Sequence, residues 1–370
     1  MKLIPVIWKN NGMNTLIRKM MSNSILERYM KYTIITFIVL LSIASLIYAK
    51  QALPWVELTV SPSKETEASK QYRLLPTEQE QTDFDAVPLY QKAIQSLPED
   101  FDPKQFSDWR SLPPDQLPVE EVEPALKKLK PTLDLVSNAA KCKQCNWPIV
   151  KPEQAQQQIM GDLSKYRQLA FVLDVQAKLQ IAQGRYDQAI GTLKASLAMA
   201  KHLGEANTLI QGLVGIAIAE LNYARIEQFI QSDNAPNLYG ALKNLPQPFI
   251  DITKAIDFEI DNLKNYNVLI RKQFEKQLKP AHDRVRKMMN HVDRKIAALQ
   301  IIEALRLYAG AHDSKFPDKL SDVSEVEIPD DPVTKKPFSY KSTGSEAVLE
   351  LEGTEGSEDR DAVRYELKLK

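Results

Sequence analysis

The chain has 370 residues, enough for two or three domains and a sizeable core. Its 48 basic and 48 acidic residues cancel, so no global field gathers nucleic acid at the surface, and nucleic-acid binding is set aside. With 12 glycines against 22 prolines, the composition favours helices separated by proline-marked breaks over a glycine-rich nucleotide-binding sheet.

Residues 1–31 form a basic tail in which Lys2, Lys9, Arg18, Lys19, Arg28 and Lys31 face one acid, Glu27. Its apolar positions (Leu3, Ile4, Ile7, Met13, Leu16, Ile17) fit either a short helix on the inner leaflet or a disordered tail. Tyr32–Ala49 (YTIITFIVLLSIASLIYA) is uncharged and close to the ~20 residues that cross a hydrocarbon core as a helix. The basic flank places the tail in the cytoplasm. Two readings follow: a transmembrane helix at 32–49, which anchors the chain in the lipid bilayer, or an export signal cleaved near Ala49. Both send residues 50–370 out of the cytoplasm. A second apolar run, Thr208–Ala219, is interrupted by Gln211 and bracketed by Glu205 and Glu220, which predicts a buried core helix instead of a span.

Residues 50–83 read as a polar, aperiodic linker. A helical domain is expected over 84–278. It holds a short helix at 84–97, a turn at 113–118 (PPDQLP) and a helix over 119–140. From residue 153, Tyr166, Leu169, Leu173, Ala177 and Ile181 recur at spacings of three and four, so one face of a helix is apolar up to Gly184. The next helix, 187–203, turns Ala189, Leu193, Leu197 and Ala200 inward, which makes a helical hairpin. The helix at 205–231 is apolar nearly all round, and Gly212 and Gly215 allow a neighbour to pack closely. A helix at 249–277 is interrupted by Pro280. The last one, 282–311, opens a small α+β unit at 281–370, where Phe338/Tyr340, Ala347/Leu349/Leu351 and Val363/Tyr365/Leu367/Leu369 alternate as three short antiparallel strands. The class is mainly α with a small sheet.

Cys142 and Cys145 are the only cysteines. Outside the cytoplasm they read as a local disulfide or a plain thiol pair, with redox work or a share in a metal site as the alternatives. Asn146 excludes haem attachment, which needs histidine there. His202, His282, His291 and His312 form no close pair. No GxSxG, Walker A or GxGxxG run occurs, so the hydrolase, nucleotide-binding and dehydrogenase readings lose their entry points. The chain reads as a non-enzyme with no catalytic residues, no cofactor and no small-molecule substrate. The acidic stretch 350–361 (ELEGTEGSEDRD) is a solvated loop or, at the margin, a calcium site without EF-hand spacing.

Three resemblances add to this reading. The turn Gln183–Ile190, with Gly184, Tyr186 and Ala189, resembles the inter-helix turn of a tetratricopeptide repeat (TPR), which implies a TPR-like hairpin without an array. The stretch Ala304–Tyr340 resembles the headpiece of the major pseudopilin of type II secretion systems through Leu305, Tyr308, Phe316, Pro317, Leu320, Asp331, Pro332, Lys336, Pro337, Phe338 and Tyr340. Lys335 stands where that pattern has glycine. Because the apolar segment ends far upstream, the resemblance implies a borrowed headpiece and no pilin-type polymer. Over 85–345, Cys145 with Trp147, His202–Glu205, Thr208–Ile218 and Pro236–Tyr239 resemble a family of uncharacterised bacterial single-pass membrane proteins. The expectation is an anchored scaffold on the outer side of the bacterial cytoplasmic membrane that binds a cell-envelope protein. An accessory component of a secretion or pilus-like machine and a CxxC-dependent thiol-redox protein are the alternatives.

Overall fold

A computed structural model describes residues 55–148, 152–264, 267–355 and 361–370, so the expected tail at 1–31 and transmembrane helix at 32–49 lie outside the described residues. The described residues hold 11 helices that make the protein 58% helical, with a small sheet. The first strand, β1 (Trp55–Val60), is followed by α1 (Glu67–Gln71), β2 (Thr82–Asp85), α2 (Ala86–Gln95) and α3 (Pro103–Ser111). Next come α4 (Val119–Lys128), α5 (Lys130–Ala140) and β3 (Cys142–Gln144). Three long helices form the centre: α6 (Pro152–Ala182), α7 (Tyr186–Gly204) and α8 (Leu209–Gln231). After α9 (Tyr239–Lys243) and α10 (Thr253–Leu263), α11 runs from Val268 to Ala311, and β4 (Ser339–Ser342), β5 (Glu346–Leu351) and β6 (Val363–Leu369) close the chain.

Several expectations are corrected. Within the expected linker at 50–83, described from residue 55 onward, Trp55–Val60 is instead a strand that pairs in parallel with β6, with Leu58 opposite Leu367. Its alternation buries Leu58 and Val60 and exposes Glu57 and Thr59, a pattern whose partner strand lies at the other end of the sequence. The sheet therefore has four strands in the order β1-β6-β5-β4, not three. The antiparallel part is as expected, with Ala347, Leu349 and Leu351 of β5 facing Leu367, Tyr365 and Val363 of β6. The helix expected over 119–140 breaks at Leu129, because Pro131 has no N–H for the carbonyl of Lys127 and its ring crowds that turn. Pro280 does not interrupt α11. Pro280 and Lys276 are both exposed, so the carbonyl that the proline leaves unbonded faces water. Gln51–Lys370 forms one compact unit.

Helix α8 is the inner wall. Thr208 caps it by accepting from the Gln211 N–H at 3.3 Å, so the polar residue that interrupts the apolar run belongs to the first turn. The helix is long and apolar enough to cross a membrane by length and composition, yet 61% of its apolar window is buried inside the protein. Gly215 lets it approach α7: a Cβ there would lie 2.6 Å from the Ala200 carbonyl oxygen. On α11, Ile296, Leu299, Ile302 and Leu305 are buried to within 1%, each contributing about 1.5–3 kcal/mol of transfer free energy.

Two arginines of α11 tie the outer segments to this core. Arg294, 2% exposed, donates two parallel bonds to Asp331 (3.1 and 2.9 Å) and one each to the carbonyls of Asp361 (2.6 Å) and Glu352 (2.8 Å). Burial would raise the Asp331 carboxyl, but the bonds from Arg294, Thr334 and the Val333 N–H outweigh it and hold the group below its ordinary value. Arg306, 1% exposed, donates to Glu303, to the Ser61 carbonyl at 2.9 Å and to the Ala235 carbonyl at 3.1 Å. Glu303 also accepts from Asn237, which draws the Pro236–Tyr239 turn onto α11. The chain after β1 passes so close to α11 that a Cβ on Gly310 would lie 1.9 Å from the Ser63 carbonyl oxygen.

Three substitutions check this account. Replacing Gly310 by Ala is expected to lower stability by about 1–3 kcal/mol in urea unfolding through overpacking. Gly240→Ala in α9, where a Cβ meets nothing within 4 Å, is expected to be neutral or slightly stabilising. Arg294→Ala leaves Asp331 buried without its cation and is expected to lower stability by about 3–5 kcal/mol.

Candidate functional site

Among the described residues, a groove of about 650 Å³ lies between the kinked pair α4–α5 and the hairpin α6–α7. Its floor is apolar, with Leu126 and Leu133 from α4 and α5 and Leu173 and Leu179 from α6. Its rim is charged: Lys130 pairs with Asp134, Arg185 with Glu123 and Lys194 with Glu80, while Lys127 and Lys141 line it without an ion pair among the described residues. Between floor and rim stand amides. Gln180 is committed, accepting from Thr192 at 2.8 Å, whereas Gln176 and the exposed Gln188 line the groove and make no side-chain hydrogen bond among the described residues. Gly191 opens the wall, since a Cβ there meets nothing within 4 Å. An apolar floor flanked by amides suits an extended polypeptide, which offers alternating side chains and backbone groups.

The groove depends on the turn that sets the angle between α6 and α7. Gly184 takes φ 69°, the left-handed region that favours glycine. The Arg185 N–H then reaches back to the Gln180 carbonyl at 2.8 Å to close the helix end. Tyr186 packs edge-on against Phe229 of α8 at 5.0 Å and donates to the Asp233 carbonyl at 2.6 Å. Ala189 is fully buried.

Cys142 and Cys145 are free thiols at a second cluster. Cys142 sits on β3 opposite Thr82 of β2, and its thiol donates to the Asn138 carbonyl at 3.5 Å. Burial pushes both thiols above their ordinary value, Cys145 the further. That lowers the thiolate fraction, which runs against a redox dithiol. The motif instead packs against a polar and aromatic knot. The Trp147 indole N–H donates to the His202 carbonyl at 2.7 Å, and the Tyr90 hydroxyl meets His202 Nδ1 at 2.9 Å. Tyr166 stands edge-on to both Tyr90 (5.9 Å) and Trp147 (5.4 Å). The CxxCxW segment and His202, far apart in sequence, thus meet between α2, α6 and α7. The His202 ring also bonds the Cys142 backbone, and burial pulls its pKa down to about 4.

The remaining histidines stay apart. His282 bonds Glu259 at 3.0 Å, His291 lies 3.8 Å from Glu220, and His312 stacks on Tyr308. No group of three or more His, Cys, Asp or Glu that could hold a metal occurs among the described residues. In the acidic loop, whose residues 356–360 lie outside the described residues, the Asp361 carboxylate accepts from the Thr354 N–H at 3.0 Å and from the Thr354 hydroxyl.

The residues Leu305–Tyr340 that carry the headpiece resemblance serve as packing and turn positions. Leu305, Phe316, Asp331 and Phe338 are buried. The Tyr340 hydroxyl donates to the Pro317 carbonyl at 3.0 Å. Pro332 and Pro337 bracket a turn in which Lys335 adopts φ 57°, so the turn keeps left-handed geometry without the glycine. Sequence reasoning missed the groove and the buried arginines. The Glu303/Arg306 pair, three apart within an apolar helix face, was the available signal for the latter. Comparison with known protein families, with curated proteins and with solved structures returned no match.

A pH experiment tests the second cluster. The His202 pKa falls from 6.5 in the unfolded chain to about 4 in the fold. Between those values the unfolded chain binds more protons, so this contribution is complete above about pH 6.5 and is lost as the pH drops towards 4. Asp293, whose carboxyl burial raises to about 6, acts in the opposite sense. The readout is therefore the stability difference between the native protein and His202→Gln, expected to shrink by about 2–3 kcal/mol between pH 7.5 and 4.5. A difference independent of pH contradicts the buried neutral ring.

Proposed function

We propose that this protein is a membrane-tethered helical scaffold that holds an extended segment of a cell-envelope protein in the groove between α4–α5 and α6–α7. The observation that carries the reading is the groove itself: an apolar floor of leucines with the side chains of Gln176 and Gln188 along it and charged residues at the rim. A polypeptide can bury apolar side chains on the floor and exchange backbone bonds with Gln176 and Gln188. The α6–α7 hairpin, with Gly184, Tyr186 and Ala189 at its turn, supports a TPR-like reading, in which packed hairpins present a binding surface. The tether is the apolar segment Tyr32–Ala49 with its basic flank.

A second reading, an accessory component of a secretion or pilus-like machine, draws on the turn at Asp331–Tyr340. The left-handed Lys335 and the Tyr340–Pro317 bond favour a pseudopilin-like headpiece. The parallel β1 strand departs from the three-stranded antiparallel sheet that this resemblance implies.

The groove reading is tested by photo-crosslinking the full chain in native membranes from a probe at Gln188, with a probe at the exposed Lys272 as control. A discrete protein adduct is expected from Gln188 and not from Lys272. Gly191→Phe fills the groove from a position with free space and is expected to reduce the adduct at least about tenfold, with the unfolding temperature changed by less than about 2 °C. An adduct undiminished by Gly191→Phe moves the binding surface elsewhere.

A further inference from the structure

On α6, Arg167, Phe171, Asp174 and Lys178 follow one another at spacings of four, three and four, so they form one stripe. The groove residues Leu173, Gln176 and Gln180 lie on the opposite side of the same helix. Arg110, from the last turn of α3, sits with its guanidinium carbon 4.6 Å from the centre of the Phe171 ring and its Nε 3.6 Å from Asp174. Arg225, from α8, brings its Nε within 3.2 Å of the other Asp174 oxygen and donates from its Nη1 to Gln228 at 2.8 Å. Arg167 stands 5.9 Å from the Phe171 ring centre.

The charges at this seam do not balance. Lys178 is occupied at the end of α3, donating to the carbonyls of Trp109, Arg110 and Leu112. That leaves Arg110 and Arg225 sharing the carboxylate of Asp174, with Arg167 beside the same Phe171 ring. The Nε atoms of Arg110 and Arg225 face that carboxylate without hydrogen-bond geometry. Burial and the nearby Arg110 both depress the Arg167 pKa, with no carboxylate acting against them. Yet the arginines are not sealed in: the Arg110 side chain is 23% and the Arg225 side chain 12% exposed. Crowded, half-dehydrated cations of one sign repel, and a fold keeps them only if something relieves the repulsion. Planar guanidinium forks match the oxygens of carboxylate and phosphate, and the ring face of Phe171 holds Arg110 open for such a contact.

We propose that Arg110, Arg167 and Arg225 form a binding site for an oxyanion, a phosphate group or the carboxylate of an acidic side chain, at the seam of α3, α6 and α8. Asp174 orients Arg110 and Arg225, and Arg167 supplies the uncompensated charge. The site shares no residue with the groove, so either proposal stands or falls without the other.

The test is thermal unfolding of the full chain, with sodium phosphate compared against sodium chloride at equal ionic strength. A second arm uses a short peptide rich in Asp and Glu. Saturable stabilisation by about 2–4 °C beyond chloride is expected from at least one of them. Arg167→Gln, which removes no ion pair within the structure, is expected to weaken that binding about tenfold, as is Arg225→Lys, which keeps the charge and loses the fork. Arg286→Gln, at an exposed arginine elsewhere on α11, is expected to leave it unchanged. Response to phosphate alone assigns the site to a free phosphate or phosphoryl group, and a tighter response to the peptide assigns it to a partner's carboxylates. Stabilisation no greater than that by chloride in both arms, or an equal response in Arg167→Gln, overturns the proposal.

Discussion

The structure depends on two buried guanidinium groups carried by one helix. Arg294 and Arg306 lie three turns apart on α11, each in a position where an unpaired cation is costly by several kcal/mol. Each bonds groups from outside its own helix, and Arg306 also pairs with Glu303 one turn away. Arg294 collects the turn at Asp331 and the connection between β5 and β6, while Arg306 collects the segment after β1 and the turn before α9. Only a planar group with several donors can bond a carboxylate and two separate backbone segments at once, which a lysine ammonium does less well. The N-terminal strand, the middle of the chain and the C-terminal sheet are therefore held to one axis.

From that axis the rest is positioned by close packing. The sheet meets α8 through the Tyr365 hydroxyl, which donates to Glu227 at 2.7 Å. Gly215 sets α8 against α7, and the α6–α7 turn sets the wall of the groove. Both proposed surfaces thus rest on helices that are locked from behind, which favours geometry kept ready over geometry formed on contact. Helix α6 serves both, with amides and leucines on one side and the arginine seam on the other.

Sequence periodicity was informative wherever an element carries its own apolar face. The helices α6, α7 and α8, the left-handed end at Gly184 and the inward residues of β5 and β6 follow from spacings within a dozen residues. The departures share a different character. Trp55–Val60 is a strand because β6 lies beside it, and its short alternation sits in a polar stretch. Pro280 breaks a helix when the freed carbonyl is buried, and here that side of α11 faces solvent. The kink at Leu129 was written in Pro131, but an apolar face that continues on both sides concealed it.

The candidate sites divide in the same way. The residues of the CxxC segment stood out as a chemical pair, and only the fold showed that they pack with Trp147 against His202, where burial raises the thiols and lowers the imidazole. Arg110, Arg167 and Arg225 are unremarkable in sequence, as are Gln176 and Gln188. By itself the sequence determined the helical class, the hairpin turn and the apolar faces, because these rest on local backbone preference and on periodic burial. Which charges are buried together, which amides line a groove and which strand completes the sheet were decided by tertiary structure alone, because each depends on groups brought together from distant parts of the chain.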